Sequence, residues 1–364
     1  MLQFVPYTRE WAESVHDFNQ RMLSGGLERE LCFPDPPDIS NGGSNQEYFL
    51  AVDGNQVRGA YFLTRERWAS RRDYHEVCNF RLPLSEGFID SRYRGIGKAL
   101  LQHALSRCPN LYCLGLGNQN RPLPQMLLRQ DWLMMKTAFC FRFVHSRRVL
   151  RDLAWLRTDP RLRLAMDAAA LSVGAAGIGA LQRLRTQKPA GQGTVAWARD
   201  FGDWADVLWD RVRCDYSLLA DRGSAALNLR YPKDDPRFLK LVVGSTSKTT
   251  IGWAVSLATA MNGHRHFGNL KVGTIVDCLA LPGEEHRVIH AATRMLEERD
   301  VDLIVSNQTH RNWCAAFDRC GYLSGPTNRF FTPSPDLARL LDPLEQEFHL
   351  THLTRGDGAG PIHL

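Results

Sequence analysis

Residues Ser91 to Gln102 read SRYRGIGKALLQ. Two glycines, Gly95 and Gly97, stand where a helical pattern begins with Leu100, Leu101, Ala104 and Leu105. Inside a helix a glycine costs about 1 kcal/mol against alanine. It is useful where the backbone turns sharply or lies against a ligand. The first turn of a helix carries unpaired N–H groups and the positive end of the helix dipole. With Arg92, Arg94 and Lys98 around it, the backbone from Arg94 through Ile96 to Lys98 reads as a cradle for a phosphate or pyrophosphate. An ordinary surface loop is the competing reading, because Gly-x-Gly turns and surface arginines are both common.

The stretch lacks the Gly-Lys-Ser/Thr of a nucleoside-triphosphate loop and the third glycine of a dinucleotide fingerprint. It fits Arg-x-x-Gly-x-Gly, as Arg92, Gly95 and Gly97. In this it resembles the acyl-CoA pyrophosphate loop of the GNAT acyltransferase superfamily. The surrounding pattern extends the resemblance. Gln3–Tyr7 reads as a strand and Trp11–Leu23 as an amphipathic helix. Residues 47–52 and 57–63 read as strands around Asp53-Gly54, a hairpin signal. Residues 77–89 are extended, with Pro83 predicting a bulge or a break in pairing. The loop and its helix follow, to about residue 107. Then come a buried strand at 111–116, a short helix at 122–130 and a last strand at 134–144. This is the GNAT order, so the resemblance covers residues 1–147.

A chain of 364 residues is comfortable for two domains, and 44% hydrophobic with 23% charged residues is ordinary for a globular protein. The net charge of +6 permits an anionic ligand, but no Lys/Arg block resembles a nucleic-acid arm. The nine cysteines contain no C-x-x-C pair, which predicts reduced thiols and no metal. The stretch MLQFVPYTREWAE has no signal-peptide pattern, so the expected location is cytoplasmic. Residues 148–192 read as a helical connector with an apolar run between arginines. Its part 155–185 is also readable as a weak peripheral membrane contact. Residues 193–335 repeat the plan of the first domain, and 336–364 form a tail. In the repeat, Glu284 and Glu285 stand where the glycine loop would be, so it reads as a degenerate copy unsuited to pyrophosphate.

The resemblance implies a mixed-sheet α/β (α+β) fold with two tandem GNAT-like domains. It implies acetyl-CoA, or another acyl-CoA, as co-substrate in direct transfer to an amine acceptor. Gly87, Phe88 and Ile89 would flank the pantetheine slot, and the backbone from Arg94 to Lys98 would hold the pyrophosphate. Glu86 borders the slot as a base candidate, its competing reading being an exposed strand-end carboxylate; His75 and Glu76 are secondary candidates. The family's frequent tyrosine acid is absent from Asn118–Trp132. Asn118 and Asn120 are left to contact the cofactor or hold a water. Cys113, inside an apolar strand, reads as core. Ala226–Phe238 resembles a segment of two-domain GNAT-like proteins from bacterial polysaccharide gene clusters, which suggests an amino sugar or glycan precursor as acceptor. Two alternatives compete: a Fem-type aminoacyl-tRNA-dependent transferase, and a non-catalytic acyl-CoA-binding regulator or assembly factor.

Overall fold

Period-two alternation produces the strands and period-3.6 stripes the helices, in the order expected. The computed structural model describes residues 2–35, 45–71, 73–117, 119–154, 173–190, 193–245, 249–264 and 266–358. The chain runs β1 (Gln3–Pro6), α1 (Ala12–Ser24), β2 (Gln46–Asp53), β3 (Gln56–Ser70), β4 (Asp73–Ser85), α2 (Ile96–Arg107), β5 (Leu111–Leu116), α3 (Pro122–Leu128) and β6 (Met135–Lys136). It continues through β7 (Ala138–Phe143), α4 (Ser146–Asp152), α5 (Val173–Arg185), β8 (Thr194–Trp197), α6 (Asp203–Val212), β9 (Leu218–Ala220), α7 (Ser224–Arg230), β10 (Leu239–Gly244), β11 (Thr250–Ala260) and β12 (Lys271–Ala280). Last come α8 (Glu285–Glu297), β13 (Leu303–Gln308), α9 (Arg311–Arg319), β14 (Leu323–Gly325), β15 (Arg329–Pro333), α10 (Pro335–Leu340), α11 (Leu344–Glu347) and β16 (Thr351–His352).

These elements form two units. The first takes residues 1–68, 74–135 and 330–345. Its sheet runs β1-β2-β3-β4-β5-β15-β6. Gly54, at φ 59°, makes the hairpin turn between β2 and β3 that Asp53-Gly54 predicts. Alternate residues of β2 divide between two cores. Phe49 and Ala51 join Ile96, Leu100, Leu101 and Ala104 of α2, with Tyr61, Leu63, Cys78, Phe80, Leu111 and Cys113. Leu50 and Val52 join Val15, Phe18 and Met22 of α1, with Ala60 and Phe62. α1 and α2 therefore cover opposite faces of the sheet, each large apolar side chain contributing roughly 1.5–3 kcal/mol on burial.

The second unit takes residues 69–73, 136–329 and 346–364. Its sheet runs β14-β7-β13-β12-β11-β10-β8. Val288, Ile289, Ala292, Met295 and Leu296 of α8 form one buried apolar stripe, which lies on the sheet where a Cβ on Gly252 of β11 would come within 2.5 Å of Val288 and one on Gly273 of β12 within 3.2 Å of Leu296. α5 docks on this unit, where the Gln182 side chain donates to the Gly321 carbonyl at 3.3 Å.

One feature departs from the expected plan. The last strand of each half lies in the other half's sheet. Residues 134–144 divide, so that β6 stays in the first sheet while β7 pairs antiparallel with both β13 and β14. In return β15 sits between β5 and β6. The expected boundaries at 147 and 335 follow chain order, whereas the units follow strand pairing. Residues 336–364, read as a tail, contain α10, α11 and β16 in their described part. Residues 155–172 of the connector lie outside the described residues. No helix among the described residues is long and apolar enough to cross a membrane.

Candidate active site

The first unit's sheet opens at β4 and β5. These strands are parallel, with Cys78 opposite Leu111 and Asn79 opposite Tyr112. Beyond those pairs both backbones leave regular geometry. Leu82, just before Pro83, has φ 46°, while Gly115, Leu116 and Gly117 have φ 130°, 66° and 67°. Pro83 brings no N–H to the ladder, which is why the deviation falls there. The result is a split bounded by Phe80–Ser85 on one side and Cys113–Leu116 on the other.

β4 does not stay extended to residue 89. It ends at Ser85, and Glu86–Phe88 form a single 3-10 turn. The Gly87 amide donates to Ser85 Oγ at 3.2 Å and the Ile89 amide to the Glu86 carbonyl at 3.0 Å. Those two amides are engaged inside the turn, so the extended backbone beside the split is upstream of the expected 87–89. Gly87 has a packing task instead. A Cβ there would come within 2.4 Å of the Tyr93 carbonyl oxygen. Phe88 is 59% exposed. Ile89 packs on the end of α1, close enough that a Cβ on Gly25 would sit 2.1 Å from it.

Glu86 is buried, not an exposed strand-end group. Arg21 Nε donates to its Oε1 at 2.7 Å and Arg58 to its Oε2 at 2.8 Å. Arg58 also lies 4.5 Å over the Tyr93 ring. The carboxylate thus ties α1, β3 and the approach to the loop together.

The loop itself begins with Asp90, whose side chain accepts from the Arg92 amide at 2.9 Å. The Arg92 guanidinium returns to the same carboxylate at 2.6 Å and is 79% exposed. This hydrogen-bonded ion pair holds Asp90 below the usual carboxylate range and Arg92 above its own. Arg94 and Lys98 are exposed, with no ion pair among the described residues. α2 starts after Gly95, which supplies no side-chain cap. The amides of Gly95, Ile96, Gly97 and Lys98 have no acceptor among the described residues, as a helix start dictates. Ile96 is buried and seats against Gly59 of β3, where a Cβ would lie 2.8 Å from it. A Cβ on Gly95 would meet nothing within 4 Å. One on Gly97 would reach only Met126 Sδ and Ser85 Cβ, both at 4.0 Å. Packing therefore demands a glycine at neither position, and the space beside the four donors is open.

The other candidates are spread out. Asn120 is exposed, and Asn118 lies outside the described residues. Cys113 is buried, donates to the Phe80 carbonyl at 3.6 Å, and burial pushes its thiol up to about 12, as fits a core cysteine. Glu76 pairs with Arg65 at 2.7 Å, and His75 is half-buried. Among the described residues no group of three His, Cys, Asp or Glu side chains is arranged to hold a metal.

The sequence reading missed a carboxylate on the face opposite α2. Tyr112 and Trp68 both donate to Glu66 Oε2, at 3.0 and 2.9 Å. Glu66 is half-buried, and Arg81 lies on the same face. The signal was the parity of the strands. If Tyr61, Leu63, Cys78, Phe80, Leu111 and Cys113 face α2, then Glu66, Arg81 and Tyr112 face away.

No family model and no curated relative matches the chain. Solved structures do match in fold. One is an Enterococcus faecalis V583 protein of unknown function labelled "Probable N-Acyltransferase": TM-score 0.52, 9% identity, covering 91% of this chain and 72% of that one. Another is Saccharomyces cerevisiae N-myristoyltransferase with bound myristoyl-CoA and inhibitors: TM-score 0.52, 10% identity, covering 92% and 79%. The mixed α/β architecture with mixed sheets matches the fold of these two structures.

Proposed function

We propose that the chain is an acyl-CoA-dependent N-acyltransferase whose co-substrate binds in the first unit. The observation that carries this is the row of unengaged amides from Gly95 to Lys98, beside a sheet split at Leu82-Pro83. Four donors at a helix start, with Arg94 and Lys98 near, suit a pyrophosphate. The split suits a narrow arm that pairs with strand backbone. The similarity to acyltransferase structures supports the same reading through the fold.

In direct transfer the acceptor nitrogen forms a bond to the acyl carbon, and the carbon–sulfur bond breaks. The acceptor ammonium must first lose one proton, the attacking nitrogen loses a second as the amide forms, and the thiolate leaves with its electron pair and takes up a proton from solvent. An ordinary thiol, titrating near 8.5, is a fair leaving group close to neutral pH. Glu86 enters as a positioning residue, since each of its oxygens holds an arginine. Proton removal is assigned to Glu66. An arm threading the split from the α2 side emerges on the face where Tyr112 and Trp68 orient that carboxylate.

Acetyl-CoA is the proposed donor, and an amine on an amino sugar or glycan precursor the proposed acceptor. The latter rests on the resemblance of Ala226–Phe238. Peripheral membrane contact through 155–185 is a further proposal; in its described part Leu181 and Leu184 are exposed. The test is calorimetry with CoA and with acyl-CoAs of increasing chain length, followed by thiol release across a panel of amines. Binding with amine-dependent thiol release supports the enzyme. Binding without release on any amine favours the non-catalytic regulator. No binding removes the acyl-CoA reading.

A further inference from the structure

The second unit contains the counterpart of the split, and there it is filled. β12 and β13 pair in parallel at Val272–Leu303, Gly273–Ile304 and Thr274–Val305. Both strands then run on, to Ala280 and Gln308, without further register pairs. The opening is occupied by Thr351–Gly358. On the β13 side, Thr309 Oγ1 donates to the Thr351 carbonyl at 2.7 Å and accepts from the Leu353 amide at 2.9 Å. On the β12 side, His352 Nε2 meets the Cys278 carbonyl at 2.8 Å, and Thr354 Oγ1 donates to Asp277 at 3.1 Å. Thr351 and His352 also pair in parallel with Leu218 and Leu219 of β9.

The segment is anchored by charge as well as by backbone pairing. Arg222, fully buried, donates to Asp277 at 3.0 Å and to Asp357 at 2.7 Å. Arg230 reaches Asp357 at 3.2 Å, and the Tyr231 hydroxyl donates to Asp277 at 3.0 Å. Two arginines and two aspartates balance. Gly356 allows the closest approach, since a Cβ there would stand 2.2 Å from the Tyr231 oxygen.

We infer that residues 351–358 are a built-in ligand of the second unit's strand split, so that this split is a permanently occupied site and not a second cofactor slot. This goes beyond the proposed function, because occupancy of the second split involves no acyl-CoA. It also gives the degenerate copy a physical reason beyond Glu284 and Glu285. Where the first unit leaves donors for a guest, the second satisfies its donors and acceptors with its own chain.

The test is hydrogen exchange on the full-length wild-type protein, with no ligand added. Amides of 352–354 should exchange at least a hundredfold more slowly than the same sequence in an unfolded chain. Thr309→Val removes the hydroxyl that holds Thr351 and Leu353. It should cost at least tenfold of that protection while leaving α2 and β2–β3 protection unchanged. Free exchange of 352–354 in the wild type would overturn the inference. So would unchanged protection in the variant. CoA titration of the wild type is a separate arm. Two sites per chain would overturn the inference; one would support it. Absence of any binding would count against the proposed function alone, leaving the exchange result to decide occupancy.

Discussion

Replacing Gly97 by valine separates a ligand role from a folding role. The structure predicts little cost to the fold. The new Cβ meets Met126 and Ser85 only at 4.0 Å, and the position lies in the first turn of α2. Removing a glycine also restricts the unfolded chain, so stability should hold or rise by up to about 1 kcal/mol. Binding is another matter. The valine methyls project from the turn whose amides, Gly95 to Lys98, face the proposed pyrophosphate. Displacing an anion from one charge-assisted N–H bond forfeits about 1.5–3 kcal/mol. That is roughly a 10- to 150-fold loss of CoA affinity. Calorimetry with CoA and a urea titration on the same preparations measure both quantities. An unchanged dissociation constant in a fully folded variant would refute the placement of the cofactor. Equal loss of stability and affinity would refute the claim that the space in front of these amides is kept open for a ligand.

Glu86→Gln should lower stability by about 1–3 kcal/mol by freeing Arg21 and Arg58, and weaken CoA binding along with it; turnover lost with stability and affinity intact would make Glu86 the base after all. Glu66→Gln should leave CoA affinity in place and reduce turnover by roughly a hundredfold, with the acidic limb of the pH–rate profile gone; an unshifted profile would remove Glu66 from the proton path. His310 is buried under Tyr216, and burial, aided by Arg311 and His349, depresses its titration to about 4. Because the depressed group stays neutral in the fold, its stabilising share is full above about pH 6.5 and is lost as pH falls towards 4, on the order of 3 kcal/mol. His310→Asn keeps a cap for α9 and should flatten that slope in urea titrations between pH 7 and 4. Arg222→Met leaves two buried aspartates sharing the single cation Arg230 and should cost about 3–5 kcal/mol by the same measure; a change under 1 kcal/mol would show the network to be dispensable.

Much of the first unit could be read from the residues alone. The glycine spacing, the Asp53-Gly54 hairpin and the break at Pro83 are local devices, and each left its mark within a few positions. Partner choice is different. Phe139, Phe141 and Phe143 alternate as a strand should, but alternation states which face is apolar and not which sheet accepts it. Hence the exchange of β7 and β15 was invisible. Burial of charge was invisible for a related reason. Glu86, Arg222 and Asp357 read as surface residues by type, and only long-range pairing, across 65, 55 and 135 positions, permits them inside. The segment 351–358 is too short and polar to announce itself as an occupant of anything.

The strand exchange changes what holds the candidate site in shape. One wall of the split is β5, and its far side is paired with β15, from residues 329–333. Ser334 extends that contact: its amide donates to the Leu111 carbonyl at 2.8 Å, and its hydroxyl accepts from the Leu111 amide at 3.2 Å. Phe331 stacks on Trp68 and tilts against Tyr112, the two residues that orient Glu66. A chain cut after residue 147 would therefore lose the neighbour of β5 and the packing under the proposed base. It would also expose an unpaired strand edge. Neither half of the sequence encodes a complete sheet. The proposed cofactor loop is written within a dozen consecutive residues, Ser91 to Gln102, whereas the wall beside it depends on a strand more than two hundred positions away.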